Sequence, residues 1–130
     1  MADPLLRYVV LRHEGVADPH FDLMLELVEG DALATWRCPA WPLTKRVRVT
    51  RLADHRREYL TYEGPVSGDR GRVSRVEAGT YQMKRDPEFN SDARWSWGVF
   101  WPNEESPDGG VLLRRWLDSK GQEQWDAAPM

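Results

Sequence analysis

The sequence predicts a mainly β fold, a small closed or partly closed β-barrel with at most one short helix. Two observations predict it. Helical periodicity is scarce along the 130 residues, and short β-rich runs recur between clusters of glycine, proline and aspartate. Many short strands joined by tight turns are typical of a sandwich or a small barrel. The length is about one domain's worth, so we expect residues 1–130 to form a single domain.

The first two strands carry the clearest patterns. Residues 6–12 (LRYVVLR) are apolar and β-branched enough for a buried strand, and residues 20–28 (HFDLMLELV) direct alternate side chains to two faces. Further strands are predicted at 33–37, 45–51, 72–76, 80–84, 94–101 and 111–117. The one plausible helix is a turn or two within residues 52–60.

Composition excludes several classes of protein. The net charge is −3, which does not favour a protein that coats a nucleic acid through its overall charge. No apolar run approaches the roughly 20 residues of a membrane helix, and no basic stretch precedes the first apolar run. A single cysteine, Cys38, excludes an internal disulfide framework and a multi-thiolate zinc site. We expect a cytoplasmic protein that does not contact a membrane.

The charge is unevenly distributed along the chain. Residues 34–75 hold 10 basic and 4 acidic side chains, whereas the segments on either side are acidic. Such a segment can form a local positive surface that contacts phosphate on an otherwise acidic protein. The alternative is that these arginines are the solvated outer faces of strands, and composition leaves both interpretations open.

Seven tryptophans are an unusual number for a chain of this length. Large aromatic side chains can stack on nucleobases. In a small β-barrel they more often fill the core and cover its ends, and this is the role that we expect.

All three histidines lie in contexts that suit chemistry. His20 and Asp22 are two apart on a predicted strand, so they share one face with Cα atoms about 6.5–7 Å apart. His13 ends the preceding strand, and an antiparallel return through the short connection would place it near His20. Two imidazoles and one carboxylate are a mixed set suited to Mn²⁺, Zn²⁺ or Fe²⁺. The alternative is that His20 and Asp22 merely pair on a polar face. His55 could be a fourth ligand, an acid or a phosphate donor.

Several blocks of the sequence resemble the conserved blocks of one known family. Residues 7–26 (RYVVLRHEGVADPHFDLMLE) resemble the signature of the 3′-phosphoesterase domain of bacterial DNA ligase D. The resemblance continues, in the same order, through residues 33–37 (LATWR), 54–64 (DHRREYLTYEG) and 79–81 (GTY). It therefore spans residues 5–84, about two-thirds of the chain.

This resemblance implies a compact β-barrel whose crevice holds a divalent metal, most often Mn²⁺, with Zn²⁺ as another option. Members of the family remove a 3′-ribonucleotide or a 3′-phosphate from nucleic-acid ends in DNA repair. The metal ligands map onto His13, His20 and Asp22, and the residues that contact the scissile phosphate map onto His55 and Tyr59. The implied partners are DNA or RNA-containing 3′ ends and end-joining ligase or polymerase proteins acting in trans.

One departure from the family pattern affects the phosphate contact. The family has an arginine two residues after the aspartate, and this chain has Met24, which cannot hold phosphate bidentately. The arginines that we expect to supply the contact instead are Arg46, Arg48, Arg51 and Arg12.

Two alternatives to an active phosphoesterase remain. Met24 could mark a catalytically weakened module that binds a metal or a DNA end. A non-haem iron oxygenase, with His20, Asp22 and His55 as ligands, is the other alternative.

Overall fold

The structure is a computed structural model that describes residues 6–27, 32–85, 94–100 and 110–129. In these residues the chain forms nine strands and one 3₁₀ turn. The strands are β1 (Leu6–Glu14), β2 (His20–Glu26), β3 (Ala32–Cys38), β4 (Val47–Arg56), β5 (Gly64–Pro65), β6 (Arg72–Arg85), β7 (Arg94–Phe100), β8 (Gly110–Leu117) and β9 (Glu123–Pro129). The 3₁₀ turn is Arg57–Leu60.

The predicted mainly β class with at most one short helix is confirmed. The 3₁₀ turn lies within the stretch where the sequence predicts a helix, but the residues before it continue β4 because they pair with β3. Among the described residues, no helix is long and apolar enough to cross a membrane.

All strand pairs are antiparallel and fall into two sets that share β4 and β6. The first set runs β4-β3-β2-β1-β6-β5 and the second runs β4-β9-β8-β7-β6. Residues 47–49 of β4 pair with β9, while most of the remainder pairs with β3. Residues 72–81 of β6 likewise pair with β1, and residues 82–85 pair with β7. The two sets therefore share β4 at one side and β6 at the other.

The main core is formed by side chains of both sets. Trp36 on β3 and Trp125 on β9 are both buried, and their rings meet edge to face with centroids 5.3 Å apart. The core role expected for tryptophan is confirmed for these two. The side chains of Trp95, Trp97 and Trp101 lie outside the described residues.

A second apolar cluster lies on the opposite face of β1, β2 and β3. Strand alternation sends Tyr8 and Val10 into the main core and Val9 and Leu11 to this other face. The 3₁₀ turn covers part of it through Leu60. The members of the cluster are Val9, Leu11, Met24, Leu33, Leu60 and Val73. Because His13 follows Leu11 and Asp22 precedes Met24 with the same alternation, the predicted ligands lie on this second face.

Candidate metal centre and its pocket

The three predicted ligands converge at one end of the β1–β2 hairpin. The antiparallel register pairs His13 directly with His20, which confirms the expected return of the chain. Asp22 lies two residues beyond His20 and so projects from the same face. The ligand atoms of the three residues all lie within 4.8 Å of one another. Local sequence spacing is therefore sufficient to assemble a mixed imidazole and carboxylate cluster.

Backbone carbonyls orient both imidazoles of the cluster. His20 Nδ1 donates a hydrogen bond to the Asp18 carbonyl at 2.8 Å, and His13 Nε2 donates to the Arg70 carbonyl at 2.7 Å. A carbonyl oxygen only accepts, so each of these ring nitrogens carries its hydrogen. In the neutral ring the other nitrogen then has a lone pair. These are His20 Nε2, 3.3 Å from Asp22 Oδ1, and His13 Nδ1, 3.9 Å from Asp22 Oδ2. Such outer hydrogen bonds orient the histidines of metal sites.

The environment of Asp22 fits a bound cation. Asp22 is only 3% exposed, and its Oδ1 is buried without a hydrogen-bond partner among the described residues. Burial raises the pKa of this carboxyl, while the charges of His20 and His55 act in the opposite direction. Ligand atoms around one such ion lie about 3.0–3.4 Å apart, given bonds of about 2.1 Å. The 3.3 Å spacing of His20 and Asp22 already matches this geometry.

Two glycines bring a loop against the cluster. Gly71 has a φ of +78°, and a Cβ atom there would lie 2.1 Å from the Glu14 carbonyl oxygen. Gly15, with a φ of +74°, packs against Gly71 so closely that its own Cβ would lie 3.1 Å from the Gly71 Cα. This contact between two backbones holds the Arg70 carbonyl where His13 donates to it.

The cluster opens into a pocket of about 320 Å³ that also contains the two predicted catalytic residues. Its lining includes His13, Asp22, Met24, His55, Tyr59 and Arg70. The rings of His55 and Tyr59 meet edge to face with centroids 5.8 Å apart. His55 Nδ1 donates to the Ala53 carbonyl at 2.9 Å, which leaves Nε2 as the ring nitrogen for a ligand or substrate.

A bulge in β4 determines which side chain reaches this pocket. Thr35 of β3 pairs with Leu52, but Leu33 pairs with His55, so β4 has one extra residue between these pairs. Without the extra residue, Asp54 would stand opposite Leu33. The bulge therefore turns His55 to the face that carries the ligands.

Met24 makes the pocket lining apolar at the position where the sequence resemblance leads us to expect an arginine. Met24 is 1% exposed and packs in the second apolar cluster with Leu11 and Leu33. No guanidinium from β2 therefore approaches the cluster from this position.

The four arginines predicted to contact phosphate do not line the pocket. Arg46 pairs with Asp126 on β9 at 3.1 Å, and Arg48 donates to Gln124 on β9 at 2.6 Å. Arg51 pairs with Asp54 at 2.7 Å and lies over the Trp36 ring. Arg12 pairs with Glu14 at 2.8 Å on the face opposite to His13. Each is held by a neighbour other than the ligand cluster.

Three other arginines lie near the site and were not singled out from the sequence. Arg56 and Arg70 line the pocket, and Arg37 stands directly opposite Asp22 in the β2–β3 register. Strand parity could have indicated Arg37, because it alternates with the buried Trp36 and Cys38. No sequence signal indicates Arg70, since its position depends on the loop contact at Gly71.

A scan against models of known protein families and a search of curated proteins find no match to this chain. The arrangement of the pocket itself is therefore the basis for a functional proposal.

Proposed function

We propose that this protein is a divalent-metal-dependent phosphoesterase that acts on nucleic-acid 3′ ends and removes a 3′-phosphate or a 3′-ribonucleotide in DNA repair. One observation carries the proposal: a single pocket joins the His13–His20–Asp22 cluster to His55 and Tyr59. The resemblance to the 3′-phosphoesterase domain of bacterial DNA ligase D assigns ligand and catalytic roles to these same five residues. A mixed nitrogen and oxygen set suits Mn²⁺, and it also accommodates Zn²⁺.

A divalent ion held by the three ligands would polarise a phosphoryl oxygen and lower the pKa of a bound water. The protein's part is to fix the ligand atoms. The Asp18 and Arg70 carbonyls orient the two imidazoles, and Asp22 is held buried between them and the pocket.

His55 and Tyr59 supply the remaining chemistry. In hydrolysis the water oxygen forms a bond to phosphorus while the bond from phosphorus to the 3′ oxygen breaks. His55, through Nε2, takes the proton of the attacking water. The Tyr59 hydroxyl donates a hydrogen bond to a non-bridging oxygen and stabilises its added charge. The departing 3′ oxygen gains a proton from solvent and becomes the 3′-hydroxyl.

Charge near the pocket also supports an anionic substrate. Arg56 and Arg70 line the pocket, and both belong to the basic segment of residues 34–75. Ligases and polymerases consume a free 3′-hydroxyl, so end-joining proteins of those classes are the partners that this activity implies.

A second candidate is a module that binds a metal or a DNA end with weakened catalysis. The apolar floor around Met24 favours it, because the position supplies no charge to a transferring phosphoryl group. The oxygenase alternative needs His20, Asp22 and His55 as ligands, whereas the convergent group contains His13 in place of His55.

The test is hydrolysis of a defined primer–template. The purified protein is incubated with Mn²⁺ and a duplex that carries a 3′-phosphate or a single 3′-ribonucleotide, beside a His20→Ala control. We expect the wild type alone to release the phosphate. Bound Mn²⁺ and retained affinity for DNA ends without turnover would favour the binding module. Oxygen consumption with Fe²⁺ and 2-oxoglutarate would favour the oxygenase.

A further inference from the structure

Arg37 lies beside the ligand cluster on the side away from His13. It is on β3 and is the direct antiparallel partner of Asp22 on β2. Directly opposed residues have Cα atoms about 4.5–5.5 Å apart, and their side chains share one face of the sheet. Because β2 lies between β1 and β3, the cluster has His13 on one flank and Arg37 on the other.

The guanidinium of Arg37 acts electrostatically on the Asp22 carboxylate across the β2–β3 pair. No hydrogen bond or ion pair joins its side chain to another described residue, and Arg37 is the exposed residue of a strand whose other members are buried or half-buried. The two arginines that line the pocket are engaged. Arg56 pairs with Glu58 at 3.0 Å, and Arg70 donates to the Ser67 carbonyl at 2.7 Å. Among the described basic residues on the ligand face beside the cluster, Arg37 is therefore the one left for a ligand.

Strand β2 supplies no arginine or lysine that could contact an anion bound at the ligand cluster. The next residue on the face of Asp22 is Met24, which is buried in the second apolar cluster. Its partner on β3 is Thr35, whose hydroxyl donates to the Leu33 carbonyl. Along this stretch of the two strands, Arg37 is the basic side chain next to the ligands.

The geometry points to Arg37 as the residue that holds the phosphoryl group of the substrate, through two of its non-bridging oxygens. This inference rests on the proposed function, because it assigns a contact within that same site. A planar guanidinium donates two parallel hydrogen bonds to phosphate. A terminal phosphomonoester has more non-bridging oxygens and more charge than a diester. Arg37 therefore favours a strand end that carries a 3′-phosphate over one that carries a 3′-hydroxyl.

Binding to two duplexes that differ only at the 3′ terminus tests the assignment. The full chain is loaded with Mn²⁺ and titrated with a duplex that ends in a 3′-phosphate or in a 3′-hydroxyl. Each protein also carries His55→Ala, so that hydrolysis does not remove the 3′-phosphate during the titration. We expect the protein that retains Arg37 to prefer the 3′-phosphate. Arg37→Ala should weaken binding of that duplex by about 10-fold to 100-fold, the range for hydrogen bonds to a charged group. Its affinity for the 3′-hydroxyl duplex and for Mn²⁺ should change by less than about twofold.

Two further variants separate geometry from charge. Arg37→Lys keeps the charge and loses the planar fork, so it should retain only part of the preference. Lys120→Ala removes one unit charge from the turn between β8 and β9 and should keep the whole preference. Cys38, the next residue on β3, is fully buried, so its slow reaction with a thiol reagent checks that β3 remains folded in each variant.

The outcomes separate this inference from the proposed function. A full 3′-phosphate preference in folded Arg37→Ala, or no preference in the protein that retains Arg37, would overturn the role of Arg37. Hydrolysis by wild type together with an unaffected Arg37→Ala would overturn the inference and leave the proposed function in place. An Arg37-dependent preference without any turnover would support the inference and count against the proposed function.

Discussion

The β1–β2 hairpin and the β8–β9 pair hold their charged groups in opposite ways. At the hairpin, two imidazoles and a buried carboxylate face one another, and Asp22 Oδ1 has no hydrogen-bond partner among the described residues. On β9, the buried carboxylate of Asp126 receives Arg46 at 3.1 Å and Arg114 at 2.8 Å. A buried polar atom without a partner marks Asp22 as a candidate functional group, whereas the charges of Asp126 are matched within the fold.

The largest expected effect comes from replacing the carboxylate of Asp22 by an amide, with the same replacement at Asp126 as a separate control. Asp22→Asn removes the anionic ligand, so we expect Mn²⁺ affinity to fall by at least about 100-fold and hydrolysis to disappear. Stability should not fall, because a neutral amide replaces a buried carboxylate that lacks a hydrogen bond at Oδ1. Titration calorimetry with Mn²⁺ and urea unfolding measure the two quantities.

Asp126→Asn is the matched variant at the paired carboxylate. We expect it to lower the free energy of unfolding by about 1–3 kcal/mol, because it weakens hydrogen bonds to charged groups. Its Mn²⁺ affinity should stay at the wild-type value. If Asp22→Asn were the less stable of the two, or if Asp126→Asn lost the metal, the contrast between the two regions would be wrong.

The next effect separates ligands from catalytic residues within the pocket. His55 lies outside the convergent group, so His55→Ala should keep the Mn²⁺ affinity and lower the rate of hydrolysis by about 10²–10⁴-fold. His13→Ala should lower both quantities, because its Nδ1 belongs to the group. Equal loss of Mn²⁺ in the two variants would make His55 a fourth ligand, contrary to this assignment.

The close packing of Gly71 against Glu14 gives a third comparison. Gly71→Ala combines a positive φ with a clash against backbone, so we expect a loss of about 2–4 kcal/mol in the free energy of unfolding. The control is Gly121→Ala, which shares a φ of +75° and meets nothing within 4 Å. It should lose only about 1–2 kcal/mol. An equal loss in the free energy of unfolding of the two variants, measured by urea unfolding, would show that the loop adjusts to the added methyl group. The loop would then not fix the Arg70 carbonyl.

The hairpin was predictable from sequence because everything that forms it is local. Its three ligands lie between residues 13 and 22, and strand alternation with one short turn determines where they point. The mainly β class follows from equally local signals, the short β-rich runs and the turn residues between them.

The surroundings of the hairpin depend on distant contacts, which sequence patterns do not record. Arg46 is drawn to Asp126, 80 residues later, because a buried carboxylate needs a counter-charge. The bulge that turns His55 to the pocket depends on pairing between β3 and β4, and alternation alone assigns that side chain to the wrong face. Arg70 depends on contact between two glycine-containing turns.

The smallest expected effect concerns Met24. It tests whether Arg37 on β3 makes the phosphate contact that an arginine at position 24 on β2 would make. Met24 lines the pocket, so Met24→Arg places a guanidinium there from β2. In the Arg37→Ala background we expect this change to tighten binding of the 3′-phosphate duplex by about 10-fold, since one charged hydrogen-bond donor replaces another. With Arg37 present the gain should be below about threefold, because two residues that serve one group are not additive. An equal gain in both backgrounds, in variants that retain the wild-type Mn²⁺ affinity, would show that the two positions act on different groups.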